Sequence, residues 1–215
     1  MNAILKHALV TAGILTAFTV VGTAMLTGTF ETTREPIAAS EREAKLQLLA
    51  QVMPPAMHDN DLLQDAVQLP PAELLGQQAP STAYRARQDG QPSGVILEAV
   101  APDGYSGDIK LLIGIAADGD ITGVRVLSHK ETPGLGDYIE IDRSDWIKNF
   151  DGKSLAKLPD EAWRVKKDGG QFDYMTGATI TPRAVVKAVH KALQYFEVQR
   201  ASIFAAPADN AGESA

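Results

Sequence analysis

An uncharged, mostly apolar stretch occupies residues 8–29, after Lys6. About 20 apolar residues suffice for a helix to cross a bilayer, and the small residues in this stretch suit helix packing inside a membrane complex. A cleaved signal peptide is the alternative, because Lys6 precedes the stretch. The stretch is longer than the roughly 7–15 apolar residues of a signal peptide, and no clean cleavage site follows promptly. We therefore predict that residues 1–29 are an N-terminal tail and a transmembrane anchor.

The next segment, residues 30–92, is predicted as a helix and a connection. The run Ser40-Glu41-Arg42-Glu43 has the form of a capping box, and a helix is expected from there to about Met53, before Pro54-Pro55. Residues 58–93 are rich in Pro, Gln and Ala. This composition favours connection with short elements.

Strand-like apolar patterns follow at residues 94–100, 109–116 and 121–128, and Asp118-Gly119-Asp120 predicts a hairpin turn between the last two. Residues 145–150 are expected to form one or two helical turns that place Trp146 and Phe150 on one side, in the core. A minority alternative gives Trp146 a ligand contact.

A helix is predicted from Pro182 to about Val198, with Thr181 as its N-cap and Pro182 in its first turn. Apolar residues recur there at helical spacing and would form one buried stripe: Val185, Val189, Ala192, Leu193 and Phe196. Residues 201–215 lack periodicity and are predicted to be a disordered tail. The fold class is therefore α+β: a transmembrane helix, then a domain over residues 93–200 with a curved antiparallel sheet and flanking helices.

Composition excludes several functions. The net charge of −7 argues against binding nucleic acid, and the absence of cysteine excludes disulfides, cysteine-ligated metal clusters and a lipoprotein anchor. The four histidines show no metal-binding spacing. Ser128 and His129 are adjacent in sequence, which does not imply the geometry of a catalytic pair. We therefore predict neither a metal site nor catalytic residues of the protein's own.

The run Asp173-Tyr174-Met175-Thr176-Gly177-Ala178-Thr179 stands directly before the predicted helix. A helix start exposes unpaired N–H groups that attract phosphate, although an ordinary capping turn would also explain such residues. The run resembles the flavinylation motif of the bacterial FMN-binding domain family, in which a flavin transferase moves FMN from FAD onto the last Thr through a phosphoester. The resemblance implies Thr179 as the acceptor, Asp173 as the acidic start of the motif, and Thr176, Gly177 and Ala178 as the turn that presents it.

A second run, Glu131-Thr132-Pro133-Gly134-Leu135-Gly136, resembles a loop shared by the G subunit of the Rnf electron-transport complex and the C subunit of the sodium-pumping NADH:quinone reductase. Proline stiffens such a loop and glycines allow close backbone approach, as an ordinary turn also requires. The resemblance places Glu131, Thr132, Gly134, Leu135 and Gly136 at the cofactor. Glu131 and Thr132 are expected to hydrogen-bond the polar edge of the flavin.

Together the two resemblances imply an electron-transfer subunit with covalent FMN, rather than a stand-alone enzyme. The complex would couple ferredoxin and NAD redox chemistry to ion translocation, or in some relatives keep a redox regulator reduced. The implied partners are the other subunits of the complex, a flavin transferase, and the bacterial inner membrane through one span. Basic residues flank the span too evenly to orient it, and only the resemblance places the domain in the periplasm. The quinone-reductase C subunit, a flavin-bearing sensor, and a non-redox anchored binding module remain alternatives.

Overall fold

The computed structural model of the chain describes residues 3–206, so most of the predicted disordered tail, residues 207–215, lies outside the described residues. The chain forms two compact units, with the boundary between Lys45 and Leu46. The first unit is helical, and the second contains one sheet and a long helix. The α+β fold class is thereby confirmed.

A single helix, α1 (Ala3–Ala50), contains the predicted anchor. Its large apolar side chains between Leu5 and Ile37 are exposed in the described chain, and by length and composition it is able to cross a membrane. Threonine hydroxyls within the apolar stretch donate to carbonyl oxygens one turn earlier, as Thr16 does to Ala12 and Thr19 to Leu15, both at 2.9 Å. These bonds satisfy polar groups that lipid could not.

The predicted helix start at Ser40 is wrong, because α1 runs through this position and through Pro36 without interruption. A capping box is worth only about 1 kcal/mol, and helical neighbours on both sides outweigh that local preference. The predicted end holds to within a few residues: α1 ends at Ala50, and Pro55–Met57 form a short 3-10 turn.

Five antiparallel strands form one sheet in the order β1-β2-β3-β4-β5. The three predicted strands are present, and two of them are longer than predicted: β3 (Gln91–Gly104), β4 (Gly107–Ala116) and β5 (Ile121–Ser128). Two strands lie in the segment predicted as connection, β1 (Ala66–Leu69) and β2 (Ser81–Gln88). The sheet therefore begins well before residue 93.

Both faces of the sheet are covered within the second unit. Val95 and Leu97 of β3 belong to the core cluster that includes the second helix, whereas Ile96 belongs to a cluster with Leu49 and Met53 from the chain around the end of α1. This alternation follows from the two-residue period of a strand. It explains why the strand patterns were continuous apolar runs.

The second helix, α2 (Ile180–Ala205), exceeds the prediction at both ends. Its N-cap is Thr179 rather than the predicted Thr181, and its last turns remain ordered where a disordered tail was expected. Arg85 on β2 explains the longer C-terminus, because its buried guanidinium donates to the carbonyl oxygens of Ile203, at 3.2 Å, and Ala206. A cation at the C-terminus of a helix also interacts favourably with the negative end of the helix dipole.

Candidate functional site

The two loops singled out in the sequence meet in one cleft of about 300 Å³ at the start of α2. Its lining combines the loop after β5, the residues that lead into α2, and one residue between β3 and β4. The lining residues are Tyr105, Glu131, Thr132, Leu135, Gly136, Gly177, Ala178, Thr179, Ile180 and Thr181. Three of the predicted site residues, Gly134, Asp173 and Thr176, lie in the same loops but do not line this cleft.

Thr179 occupies the N-cap position of α2 and lines the cleft with a half-exposed side chain. Its backbone is in the helical region (φ −77°, ψ −25°), and its hydroxyl forms no capping hydrogen bond. The amides of Ile180 and Thr181 belong to the first turn, where N–H groups lack partners within the helix, and Pro182 contributes no N–H group. A hydroxyl and N–H donors therefore meet at one helix start.

Glu131 is almost fully buried, and its carboxylate joins three segments of the chain. It accepts hydrogen bonds from the backbone N–H groups of Ser106, at 2.9 Å, and Tyr105, at 3.3 Å, and from the hydroxyl of Thr181. The Thr181 hydroxyl therefore bonds to a buried carboxylate and does not cap the helix as the sequence suggested. The predicted contact of Glu131 with a flavin edge stays a prediction. In the structure, its carboxylate has an architectural role: it holds the loop after β5, the turn before β4 and the start of α2 together.

His129 forms a hydrogen bond with the backbone of Glu131, a contact that no sequence motif indicated. Its Nδ1 accepts the backbone N–H of Glu131 at 2.9 Å, and its Nε2 lies 2.9 Å from Oε1 of Glu140. Because Nδ1 acts as an acceptor, the ring proton is assigned to Nε2, which donates to Glu140. The imidazole thereby fixes where the loop leaves β5.

The glycines of the loop after β5 have distinct physical roles. Gly134 has a positive φ of 75°, which favours glycine. A Cβ on Gly136 would lie 2.9 Å from Cβ of Glu131 and 3.1 Å from Oγ1 of Thr181. Gly136 therefore lets the loop backbone pass close to the Glu131–Thr181 pair, and the predicted approach of these glycines to a flavin stays a prediction.

The segment from Asp173 to Gly177 exposes its side chains, while its backbone is bonded to buried aromatic residues. The indole Nε1 of Trp146 donates to the carbonyl oxygen of Asp173 at 2.8 Å, and the hydroxyl of Tyr138 accepts the N–H of Met175 at 3.3 Å. Burial raises the pKa of Tyr138 to about 12. Trp146 belongs to the core, as predicted, and does not line the cleft.

Charged residues near the start of α2 are paired with one another at the surface. Arg183 donates through Nε and Nη2 to the two carboxylate oxygens of Asp168, at 2.6 and 2.9 Å. This guanidinium holds the pKa of the Asp168 carboxyl below its usual range. Lys166 forms an ion pair with Asp173. Within residues 3–206, no cluster of three or more His, Asp or Glu side chains could hold a metal ion.

The rim of the cleft is apolar and exposed. Tyr105, Leu135 and Ile180 are exposed to 67%, 45% and 44%. Exposed apolar groups beside a concave site are typical of ligand binding, and a flat aromatic ring system would cover these side chains. The residues present therefore fit a flavin whose phosphate end lies at the helix start.

Two family models match parts of this chain. Residues 104–194, which contain both loops, match the FMN-binding domain family, and residues 1–52 match the RnfG N-terminal region. The second unit of the chain thus contains an FMN-binding domain.

Relatives identify the family as a whole. The chain is 50% identical over 211 residues to the G subunit of the ion-translocating oxidoreductase complex of Pseudomonas aeruginosa, covering 98% of this chain and 96% of that protein. It is 44% identical over 204 residues to the corresponding protein of Shewanella baltica, covering 94% and 96%. The chain belongs to the family of G subunits of ion-translocating oxidoreductase complexes.

Among solved structures, the C subunit of the Na⁺-translocating NADH-quinone reductase from Parabacteroides distasonis is similar at 23% identity. The match covers 60% of this chain and 65% of that chain with a TM-score of 0.42, so the overlay is loose.

Proposed function

We propose that this chain is a membrane-anchored electron-transfer subunit of an ion-translocating oxidoreductase complex, with FMN joined to Thr179 by a phosphoester. The observation that carries the proposal is the state of the Thr179 hydroxyl. It stands at the start of α2, lines the cleft formed by both loops, and makes no capping bond. Family membership supports FMN as the cofactor.

The attachment requires a flavin transferase and FAD. In that transfer the Thr179 oxygen would bond to the phosphorus of the FMN half of FAD as the pyrophosphate bond breaks, with AMP as the leaving group and loss of the hydroxyl proton. The N–H groups of Ile180 and Thr181 and the positive end of the α2 dipole favour an anionic phosphoryl group at this position. No electron is transferred in this step.

Once attached, FMN supplies the redox chemistry, and the chain supplies its placement. Tyr105, Leu135 and Ile180 would cover the apolar faces of the ring, while Thr132 and Glu131 stand where a polar edge could bond. A tether fixes the effective concentration of the cofactor independently of affinity. A carrier outside the cytoplasm therefore keeps a cofactor that it could not replace.

The first experiment is intact mass of the denatured full-length chain, extracted from membranes of a host with an active flavin transferase, with peptide mapping. We expect one FMN phosphoester on the peptide containing Thr179. Thr179→Val should carry no adduct, because valine keeps the shape and lacks the hydroxyl, whereas Thr179→Ser should retain some. An adduct that survives denaturation in Thr179→Val would refute the assignment. An unmodified wild-type chain would favour the alternative in which Thr179 is only a turn residue.

Orientation and partners are also part of the proposal: one inner-membrane span, the domain in the periplasm, and contact with the other subunits. The chain contains no cysteine, and Val198 is an exposed residue of α2, so Val198→Cys introduces a single label site. A membrane-impermeant maleimide should label this variant in intact cells and leave the cysteine-free wild type unlabelled. Labelling only after the inner membrane is opened would place the domain in the cytoplasm.

A further inference from the structure

Residues 173–177, called the acceptor segment because they lie just before the proposed acceptor Thr179, have exposed side chains and ends that are fixed in the core. Phe172 on one side is buried and stacks on Phe150 with ring centroids 4.7 Å apart, and Ala178 on the other side is buried. Between them the side chains of residues 173–177 face outward. An exposed peptide of this kind would ordinarily sample several conformations.

Three hydrogen bonds hold the backbone of the segment. One closes the turn at the end of the segment, from the N–H of Ala178 to the carbonyl oxygen of Met175 at 3.0 Å. The other two come from buried aromatic side chains, the indole of Trp146 and the hydroxyl of Tyr138. These two rings pack edge to face at 5.5 Å, which fixes each against the other.

We propose that Trp146 and Tyr138 are positioning residues that hold this segment in the shape a flavin transferase recognises. The inference rests on the proposed attachment to Thr179 and assigns a role to two side chains outside the motif. A segment that is already ordered spares the enzyme the entropic cost of ordering it on binding. Its outward side chains remain free to contact the enzyme.

The test uses Trp146→Phe and Tyr138→Phe in the full-length chain, made without transferase and purified in detergent. Tyr138→Phe removes one hydroxyl, whereas Trp146→Phe removes the indole N–H and leaves a small cavity in the core. The freed carbonyl of Asp173 and N–H of Met175 lie in an exposed segment and can bond water instead. We therefore expect little change in thermal stability for Tyr138→Phe, a loss for Trp146→Phe that the cavity alone explains, and greater mobility of the segment in both.

Two other buried residues provide matched controls. The indole N–H of Trp163 has no hydrogen-bond partner in the described part of the chain, so Trp163→Phe makes the same change in ring size in the core without removing such a bond. Tyr195 is buried to the same degree as Tyr138 but lies roughly 24 Å along α2 from Thr179, by the rise of 1.5 Å per residue. Tyr195→Phe therefore removes the hydroxyl of a buried tyrosine far from the segment.

The measurement is flavin attachment by purified transferase and FAD, with KM for the acceptor protein and kcat determined separately. One hydrogen bond is worth about threefold to tenfold in an equilibrium, so KM should rise by that factor in Trp146→Phe and less in Tyr138→Phe, with kcat within about twofold. Unchanged KM in both variants, or an equal rise in the two controls, would overturn the inference while leaving the attachment intact. A wild-type chain that accepts no FMN would instead overturn the proposed function, and this inference with it.

Discussion

The buried pair of Glu131 and Thr181 offers the sharpest test of how the site is built. Thr181 is 1% exposed, and its hydroxyl donates to the Glu131 carboxylate, which is 4% exposed. Thr181→Val replaces that hydroxyl by a methyl group of similar size. The carboxylate keeps two backbone donors, so the variant loses one charge-assisted bond and does not isolate the charge.

The expected loss follows from the nature of this bond. A hydrogen bond to a charged group contributes about 1.5–3 kcal/mol, so the free energy of unfolding should fall by about 2 kcal/mol. At about 2–4 °C per kcal/mol for a unit of this size, the melting temperature should fall by about 4–8 °C. Thr179→Val should lose less than about 0.5 kcal/mol, because the Thr179 side chain makes no capping bond.

Urea titration of both variants and the wild type, all made without transferase and in detergent, measures this difference by the fluorescence of the second unit. Intact mass of the same chains made with transferase gives the opposite order, since Thr179→Val should lack FMN and Thr181→Val should carry it. If Thr181→Val unfolds at the wild-type urea concentration, the carboxylate does not depend on this hydroxyl. The account of Glu131 as an architectural residue would then fail.

Three further results are expected. The pKa of the Tyr138 hydroxyl is about 12 in the folded chain and about 10 when unfolded, so the folded state loses stability as the pH rises from 10 to 12. Over that range the free energy of unfolding of the wild type should fall by about 1–2 kcal/mol more than that of Tyr138→Phe in urea titrations. Equal losses in the two proteins would contradict this. Gly136→Ala forces a Cβ against Glu131, so the free energy of unfolding should fall by about 1–3 kcal/mol and the melting temperature should fall with it. Arg85→Met leaves the Asp65 carboxylate without one of its partners and should cost about 3–5 kcal/mol in urea, with faster amide exchange at the end of α2; unchanged exchange there would argue against the C-terminal anchor.

Much of the architecture was predictable because it depends on local pattern. The anchor, β5, the turns at residues 145–150 and the apolar stripe of α2 each follow from composition or periodicity within one element. β2 was missed for a specific reason. Its sequence contains two arginines, one of them Arg85, and a buried arginine is intelligible only with Asp65 and the end of α2 beside it.

The candidate site divides in the same way. The resemblance to two family motifs singled out both loops and Thr179, and it could do so because motif residues and a helix start are local features. It could not show that Thr181 would bond to Glu131, fifty residues earlier in the chain. Nor could it show that Trp146 and Tyr138 would hold the acceptor segment.

Local pattern and the resemblance to known motifs were therefore enough to propose which groups form the site, since hydroxyl, glycine and apolar side chains act through their own properties. Which of the two threonines at the start of α2 is buried against Glu131 and which keeps a partly exposed side chain followed only from the fold. The physical reason is that burial and hydrogen bonding depend on groups brought together from distant positions in the chain. At the start of α2 this leaves Thr181 buried and bonded to Glu131, and Thr179 partly exposed at the cleft.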